Sequence, residues 1–362
     1  MDEAGQSEGG SVLVTGVSGN LGARVLLQLS ASKVVGVDLY PPASSAGLSR
    51  FESMDVSDED SCDQLVRLLR EEDVRAVVHL AFVIDPVRTG ILDVERMWQV
   101  NVAGTARVME AIAEINRHGG RVEKFIFISS VSAYGPETPG PVDEDFQLAA
   151  HTLPYAVHKK QADEVVQRRA GQLEDCSTFI LRPHIFAGAS MQNYLIGALR
   201  GTPTGKGKWA ERLRQRATRL PIVVPFGERY LKSRFQFVHV DDVARLIAYI
   251  LARPASASMT VLNVAGKGDA LPFSECARIA NAKLLRLPGR SFCRAVLKLM
   301  WMLGISGVPP DALPYILGSY TMDTSRLRQY LGKDYEMVIQ YTISGALADS
   351  FVPEVRGEAA AV

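Results

Sequence analysis

The sequence has few cysteines, no net charge and no long uninterrupted hydrophobic run. Its four cysteines, Cys62, Cys176, Cys276 and Cys293, lie far apart and form no Cys-x-x-Cys pair. Neither a zinc cluster nor a disulfide framework is therefore indicated, and a reducing cytoplasmic location is expected. Lys plus Arg and Asp plus Glu each total 40 among 362 residues, which gives no electrostatic reason to expect a nucleic-acid partner.

Other absences narrow the possible classes further. No apolar run reaches the roughly 18 to 20 residues that span a bilayer, and the nearest candidate, at 295–305, is interrupted by Lys298. The six histidines form no His-x-x-x-His or His-Glu-x-x-His pattern, so no metal is expected. Residues 1–10 lack a basic and an apolar region and are expected to be a disordered tail, as are residues 353–362.

Hydrophobic periodicity predicts the fold class. From Ser11 to about Pro183, short β-branched runs alternate with helix-length amphipathic stretches: SVLVTG, KVVGVD, AVVHLA, KFIFISS and STFILRP. Strands that are apolar on both faces indicate a parallel sheet covered by helices on each side. We therefore expect an α/β protein with a doubly wound parallel sheet.

The regular alternation stops after Pro183. Residues 186–235 are rich in glycine, proline and arginine, and residues 266–320 carry five prolines, which predicts short helices and loops rather than sheet in 266–320. We expect a dinucleotide-binding domain at 11–185, to which 236–264 return, and a smaller substrate-binding region at 186–235 and 265–352.

A glycine-rich turn follows the first predicted strand and opens the first predicted helix. Gly16, Gly19 and Gly22 would allow a tight turn and let backbone N–H groups approach a pyrophosphate at the helix N-terminus. Asp38 ends the second predicted strand, 22 residues beyond Gly16, close to the spacing of the carboxylate that binds the adenosine ribose. Because this carboxylate would repel a 2′-phosphate, NAD is favoured over NADP.

Further motifs carry a family resemblance. The run at 15–22 is Thr-Gly-x-x-Gly-x-x-Gly, Tyr155 and Lys159 form a Tyr-x-x-x-Lys pair, and Ser130 stands upstream. This pattern resembles the extended short-chain dehydrogenases/reductases of the NAD-dependent epimerase/dehydratase family, over most of the chain. Supporting matches are His79-Leu80-Ala81, Asn101 to Thr105, Ser129 to Gly135, Leu181-Arg182-Pro183 and Phe237 to Ala244.

The resemblance implies a Rossmann fold and a catalytic set of Ser130, Tyr155 and Lys159. Tyr155 and Lys159 are four residues apart and share one helix face, where the ammonium and a nearby nicotinamide cation are expected to lower the phenol pKa. Tyr155 would then exchange a proton with a substrate oxygen while hydride moves to or from the nicotinamide, and Ser130 would hydrogen-bond that oxygen.

The same resemblance supplies the predicted cofactor contacts. Asp55 either accepts from the adenine amino group or caps a turn in its acidic run. His239 and Asp241 are expected to be structural, and His158 is expected at an exposed helix position. The full cofactor-binding set is Gly16, Ser18, Gly19, Asn20, Leu21, Gly22, Asp38, Asp55, Val56, Leu80, Ala81, Asn101, Tyr155, Lys159 and Pro183.

The residues beyond Ser130 bear on the reaction. Dehydratases and decarboxylases of the family carry Asp or Glu immediately beyond this serine, whereas Val131 and Ser132 stand here. This favours a nucleotide-sugar-like 4-epimerase, with a net dehydrogenase or reductase of an apolar hydroxyl substrate as the alternative. Ser130, Ser132 and Arg234 are the predicted substrate contacts, although Ile185 and Phe235 replace polar residues of relatives. A third alternative is a regulator that binds NAD without catalysis.

Four segments of the chain bear on contacts with a membrane and with a second copy of the chain. Residues 200–219 contain seven basic side chains and Glu211 as the one acidic residue, with Trp209, Leu213, Ala217 and Leu220 at helical spacing. This predicted basic amphipathic helix either lies on the domain with a solvated face, while the apolar segment 292–303 forms a core helix of the smaller region, or the two segments form an apolar lid over a lipid-like or steroid-like alcohol at a membrane surface. Relatives dimerise through helices corresponding to 90–117 and 155–172, which implies a homodimer.

Overall fold

The computed structural model describes residues 10–30, 32–84, 93–254 and 259–352. The two predicted tails lie outside these ranges, apart from Gly10. The strands are β1 Ser11–Thr15, β2 Val34–Asp38, β3 Arg50–Ser53, β4 Val74–His79, β5 Lys124–Ile128, β6 Pro141–Val142, β7 Ser177–Pro183, β8 Ile185–Ala187, β9 Ile222–Pro225, β10 Arg234–Phe235, β11 Phe237–His239, β12 Met259–Val264, β13 Leu271–Pro272, β14 Leu284–Leu287 and β15 Thr321–Met322.

Fifteen α-helices occur within the described ranges. They are α1 Asn20–Gln28, α2 Ser61–Glu71, α3 Val94–Trp98, α4 Gly104–Arg117, α5 Pro154–Arg169, α6 Tyr194–Arg200, α7 Lys208–Gln215, α8 Glu228–Lys232, α9 Val240–Leu251, α10 Phe273–Ile279, α11 Gly289–Met302, α12 Leu313–Leu317, α13 Ser325–Leu331, α14 Tyr335–Val338 and α15 Ile343–Asp349.

Seven parallel strands form the central sheet, in the order β12-β7-β5-β4-β1-β2-β3. In β1 the side chains alternate between two apolar layers: Val12 and Val14 pack with α1 and α9, whereas Leu13 packs with α2 and α4. This period of two places helices on both faces. The predicted doubly wound fold is confirmed, and the strand order reverses between β1 and β4, where ligands bind in such sheets.

The structure corrects the expectation that 266–320 contains no sheet. Here β13 pairs antiparallel with β10, and β14 pairs parallel with β9. Pro272 ends one strand and Pro288 follows the other, so the prolines limit the length of these strands without preventing them. The division of the chain into two domains stays a prediction.

The predicted basic helix at 200–219 is also shorter than expected. Gly201, in a left-handed conformation, ends α6, and α7 covers Lys208–Gln215 alone. Ala217 has a φ of 51°, which a continuous right-handed helix excludes. The segment 292–303 lies almost wholly in α11. Within the described ranges, no helix has both the length and the apolar character needed to cross a bilayer.

Candidate active site

The glycine turn follows β1 and is built around close backbone approaches. Gly16 has a φ of 69°, and a Cβ there would lie 2.5 Å from the Ala81 nitrogen. A Cβ at Gly22 would lie 2.4 Å from the Val17 oxygen. Helix α1 begins after Gly19, and no side chain caps it. The turn therefore presents a helix N-terminus whose first backbone N–H groups have no side-chain cap, as at sites where the backbone donates to an anionic ligand.

Asp38 lies directly beside this turn. One oxygen of its carboxylate accepts from the Ser18 backbone N–H at 3.0 Å and the other from the Leu39 N–H at 2.8 Å. The two predicted cofactor-binding features, separated by about twenty residues in sequence, are thus in contact. The Asn20 amide is turned elsewhere and donates to the Ser190 carbonyl at 3.2 Å.

The predicted residues gather at the carboxyl edge of the sheet. The glycine turn follows β1, Asp38 ends β2, Leu80 and Ala81 follow β4, and Ser130 lies just beyond β5. Pro183 ends β7. Because the sheet is parallel, all these strand ends open on the same side, which is the side where doubly wound sheets bind their ligands.

Asp55 and Asn101 are occupied by contacts within the protein. Asp55 Oδ1 accepts from the Ser57 backbone N–H at 2.9 Å and from its hydroxyl, while Oδ2 pairs with Arg96. Asn101 is fully buried and bonds both the N–H and the carbonyl of Val83. Asp55 thus forms the turn cap foreseen as its alternative role, and Asn101 holds the loop after β4. Val56 is buried against Gly104.

The three predicted catalytic residues converge. Ser130 caps a 3-10 turn at Val131–Tyr134, and its hydroxyl accepts from the Ser132 backbone N–H at 3.2 Å and from the Ser132 hydroxyl at 3.0 Å. Tyr155, in the first turn of α5, places its phenol beside both serines, whose hydroxyls act to lower its pKa. The arrangement gives a substrate oxygen three hydroxyl groups in one place.

Lys159 lies one helical turn from Tyr155 and is buried. Its ammonium donates to the Ile128 carbonyl at 2.6 Å and lies 3.4 Å from the centre of the Phe82 ring. The Phe82 ring in turn meets the Tyr155 ring edge-on at 5.9 Å. The lysine is therefore held between a carbonyl and an aromatic face, a favourable cation–π position.

The pKa of Tyr155 is raised, whereas the sequence predicted that it would be lowered. Burial raises the pKa of Tyr155, and the hydroxyls of Ser130 and Ser132 offset part of that rise. Burial also lowers the pKa of Lys159 well below its usual value, although Asp163 opposes the change. The expected lowering of the phenol pKa is thus absent in the protein alone, because removal from water disfavours both charged forms.

A buried ion pair supports this cluster from behind. Asp163 lies one turn beyond Lys159 on α5 and receives a bidentate contact from Arg182, at 2.8 and 2.9 Å. The Ser129 hydroxyl donates to the same carboxylate at 2.5 Å. Arg182 also donates to the Tyr134 hydroxyl at 2.8 Å. One guanidinium thus ties β7, α5 and the turn after Ser130 together.

Sequence reasoning missed Phe82, Asp163 and the role of Arg182. The Leu-Arg-Pro match contained Arg182, and the i, i+4 spacing from Lys159 to Asp163 was visible, but neither pattern names a partner. His158 was expected to be exposed; that prediction is wrong. Its ring is buried close to Asn101, at 3.4 Å, and burial lowers its pKa, because this side of α5 packs against the turn around Asn101 rather than facing solvent.

Two further expectations concern Arg234, a predicted substrate contact, and His239, in the motif from Phe237 to Ala244. Arg234 is exposed, and its guanidinium donates to the Ala270 carbonyl at 3.0 Å. His239 is buried, contacts Asp349 at 3.1 Å and stacks on Tyr341 at 3.7 Å, in agreement with a structural role. Burial of Tyr320, whose hydroxyl donates to the Tyr315 carbonyl, raises its pKa.

The chain is similar in sequence to known proteins. The sequence profile of the NAD dependent epimerase/dehydratase family matches residues 12–265. A UDP-glucose 4-epimerase of Cyamopsis tetragonoloba is 26% identical over 253 residues, which are 65% of this chain and 69% of that enzyme. Two other curated UDP-glucose 4-epimerases match over about half of their own length, 47% and 52%.

Solved structures share the fold. A UDP-glucuronic acid 4-epimerase of Bacillus cereus, crystallised with UDP-glucuronic acid and NAD, matches with a TM-score of 0.63 and 20% identity over 94% of this chain and 98% of that one. DesIV, a dTDP-glucose 4,6-dehydratase of Streptomyces venezuelae crystallised with NAD, matches with a TM-score of 0.66 and 22% identity over 94% of this chain and 95% of that one.

Proposed function

Since the chain belongs to the NAD-dependent epimerase/dehydratase family, we propose that it oxidises and re-reduces a secondary alcohol carbon of a nucleotide-sugar-like substrate, as a 4-epimerase does. NAD, the cofactor predicted from the glycine turn, is the cofactor of the family. The observation that carries the proposal is the convergence of Tyr155 with Ser130 and Ser132, one helical turn from Lys159.

The residues at the sheet edge fit a dinucleotide. A helix N-terminus without a side-chain cap and the glycine turn at Gly16 and Gly19 would hold the pyrophosphate, and Asp38 would bind the adenosine ribose hydroxyls. Lys159 would face the nicotinamide ribose. When bound, the nicotinamide supplies a hydride acceptor and donor.

The protein groups supply the proton transfer. Ser130 and Ser132 orient the substrate hydroxyl. Tyr155 takes the hydroxyl proton as hydride leaves the carbon that bears this hydroxyl, and it returns the proton to the oxygen when hydride comes back to that carbon. Because burial keeps the pKa of Tyr155 high in the protein alone, the phenol needs a nearby positive charge to act as a base. The buried Lys159 provides that charge when it is protonated.

An epimerase is favoured over a dehydratase by the two residues after Ser130. Val131 and Ser132 are both buried and carry no carboxyl group, so the turn lacks the extra acid and base that elimination of water requires. A net dehydrogenase or reductase of an apolar alcohol remains the second candidate. The observation in its favour is that Arg234, the expected diphosphate contact, is bonded to the Ala270 carbonyl.

Substitution of Tyr155 by Phe tests the catalytic assignment. The variant loses the proton-transfer group but keeps the ring, so we expect turnover to fall about 100- to 10,000-fold, while NAD affinity measured by calorimetry stays near that of the unmodified protein. A chain that keeps full function with Phe at 155 would instead be a non-catalytic NAD-binding regulator.

Cofactor retention separates the two candidate reactions. Native mass spectrometry of the purified protein, with identification of the nucleotide released on denaturation, should reveal tightly held NAD if the cofactor is regenerated on the enzyme in each cycle. Incubation with UDP-glucose, followed by NMR for inversion at C4, tests the substrate class. Reversible uptake of NAD with no inversion would favour the dehydrogenase, and formation of a 4-keto-6-deoxy sugar would favour the dehydratase.

A homodimer through 90–117 and 155–172 is part of the proposal. Residues 90–92 lie outside the described ranges; within the remainder, Trp98 on α3 donates to Gln161 on α5 at 3.1 Å, which joins the two helical segments into one surface. Sedimentation equilibrium should give twice the mass of the chain, and a monomeric mass would refute this assembly.

A further inference from the structure

Helix α11 exposes apolar side chains on the face opposite its core contacts. On the side of α11 that faces the core, Cys293 and Leu297 are buried, whereas Leu299 and Met302 are 56% and 70% exposed. The exposed residues recur every three or four positions and so form one stripe along the helix. We define the apolar stripe as Phe292, Ala295, Leu299, Met302 and Leu303.

Helix α7 extends this surface with an exposed tryptophan. The loop before α7 pairs with the loop after α11: the Gly205 N–H donates to the Ile305 carbonyl at 3.0 Å and the Gly207 N–H to the Gly304 carbonyl at 2.9 Å. The first turn of α7 and the last turn of α11 are therefore held side by side. Trp209, 56% exposed, lies in that first turn.

Basic side chains flank the apolar stripe. We define the basic rim as the exposed residues Lys206, Lys208, Arg212, Arg216 and Lys298. The Arg212 guanidinium lies 5.3 Å from the Trp209 ring centre. Between 200 and 219 seven residues are basic and one, Glu211, is acidic, in a chain whose charges balance overall. Positive charge is thus concentrated beside the exposed apolar residues.

We propose that the apolar stripe, Trp209 and the basic rim form a surface that binds an anionic lipid bilayer. Tryptophan and leucine are typical of the boundary between headgroups and acyl chains, while lysine and arginine attract anionic headgroups. The charge pattern disfavours a second copy docked through the same surface, because a two-fold contact would bring basic rim against basic rim. The surface is independent of the proposed catalysis.

Vesicle co-sedimentation of the full chain tests the proposal. Vesicles of phosphatidylcholine mixed with phosphatidylglycerol should bind the protein at low salt, and binding should weaken at least about tenfold at high salt, since exposed charges are screened. Vesicles of phosphatidylcholine alone should bind much less. Absence of binding to the anionic vesicles at low salt would overturn the proposal.

Matched variants locate the surface. Leu299→Glu with Met302→Glu, and separately Lys208→Glu with Arg212→Glu, should each lower vesicle affinity at least about tenfold. The control is Met337→Glu with Lys333→Glu, which changes an exposed apolar and an exposed basic residue outside the surface and should bind as the unmodified protein does. Equal binding by all variants would overturn the proposal.

Two readouts separate lipid binding from other causes. Tryptophan fluorescence should shift to shorter wavelength with anionic vesicles, and Trp209→Phe should reduce that shift, with Trp98 and Trp301 supplying the remaining signal. Thermal melts and NAD binding establish that each variant is folded. Sedimentation velocity tests self-association: a change of oligomeric state in the Leu299→Glu, Met302→Glu variant, with no vesicle binding by the unmodified protein, would mean that the stripe covers a second copy and would overturn the proposal.

Discussion

Two ion pairs of similar length show how differently the two regions use charge. Arg182 and Asp163, inside the sheet region, are 2.8 Å apart and about 1% exposed, whereas Arg294 on α11 and Asp311 are 3.0 Å apart and 64% and 44% exposed. The first pair is surrounded by partners on three elements, and the second is surrounded by water. Distance alone therefore does not measure what an ion pair contributes; burial and shared partners do.

Removing one member of each pair should give the largest difference. Arg182→Met leaves Asp163 buried without its cation, and we expect the free energy of unfolding to fall by about 3 to 5 kcal/mol. Arg294→Met should cost about 1 kcal/mol or less. Urea denaturation followed by circular dichroism measures both. If the free energy of unfolding fell by similar amounts in the two variants, the buried ion pair would contribute no more to stability than the exposed one.

A methyl group at Gly16 should affect the sheet edge more than one in an open turn. Gly16→Ala combines a positive φ with a clash against Ala81, so we expect NAD affinity to fall at least about tenfold. Gly119→Ala is the control, because Gly119 also has a positive φ but no atom lies within 4 Å of its added Cβ. Gly119→Ala should lose about 1 to 2 kcal/mol of stability from its positive φ alone, and Gly16→Ala should lose more because its Cβ also meets the backbone of Leu80 and Ala81. Calorimetry with NAD separates them, and equal NAD affinity would contradict the predicted cradle.

Acid should weaken the sheet region through His79. This residue is buried on β4 between Thr15 and Thr105, and burial lowers its pKa to about 3. Above about pH 6.5 the His79 ring is neutral in both the folded and the unfolded protein, so it has little effect on stability. As pH falls from there towards 3, the unfolded chain binds a proton that the folded protein does not, and stability is lost. At pH 5.5 the loss is about 1.4 kcal/mol.

Denaturation at a series of pH values tests the His79 prediction. The slope of the unfolding free energy against pH should be smaller in His79→Gln, by a difference that grows from a fraction of a proton at pH 7 to about one proton per molecule at pH 5. His118→Gln, a change at an exposed helix end, serves as the comparison. An unchanged slope in the His79 variant would show that this residue is not the acid-sensitive group.

The smallest effect should come from the apolar stripe. Leu299→Ala removes a side chain that stays more than half exposed in the folded protein, so stability should change by about 0.5 kcal/mol or less. Leu297→Ala, two residues earlier and buried, should cost about 2 to 5 kcal/mol. Thermal melts of the two variants make the comparison. A large loss in Leu299→Ala would show that the exposed stripe contributes to the core after all.

Much of the fold could be predicted because its evidence is local. Each apolar run that became β1, β2, β4, β5 or β7 was visible as consecutive β-branched residues, and the glycine turn carries its own conformational requirement at Gly16. Helix ends in the smaller region were harder. The spacing of Trp209, Leu213 and Ala217 suggested one long helix, but Ala217 adopts a left-handed conformation that no local pattern indicates.

Partners of the polar residues were the least predictable part of the site. Asp55 has the same local sequence whether it binds adenine or caps a turn, and only the position of Arg96 shows which protein groups surround it. His158 follows the same rule: the sequence gives its place on α5, and the packing of Asn101 against that helix makes it buried.

By itself, the sequence determined the parallel sheet, the glycine turn with Asp38, and the i, i+4 pairing of Tyr155 with Lys159, because periodicity and turn chemistry act between near neighbours. Tertiary structure alone decided that Arg182 supports the cluster of Ser130, Tyr155 and Lys159, that Asp55 and Asn101 bond within the protein, and that Trp209 lies beside the stripe of α11. These contacts join residues far apart in the chain, and they depend on which surfaces the completed fold buries and which it leaves in water.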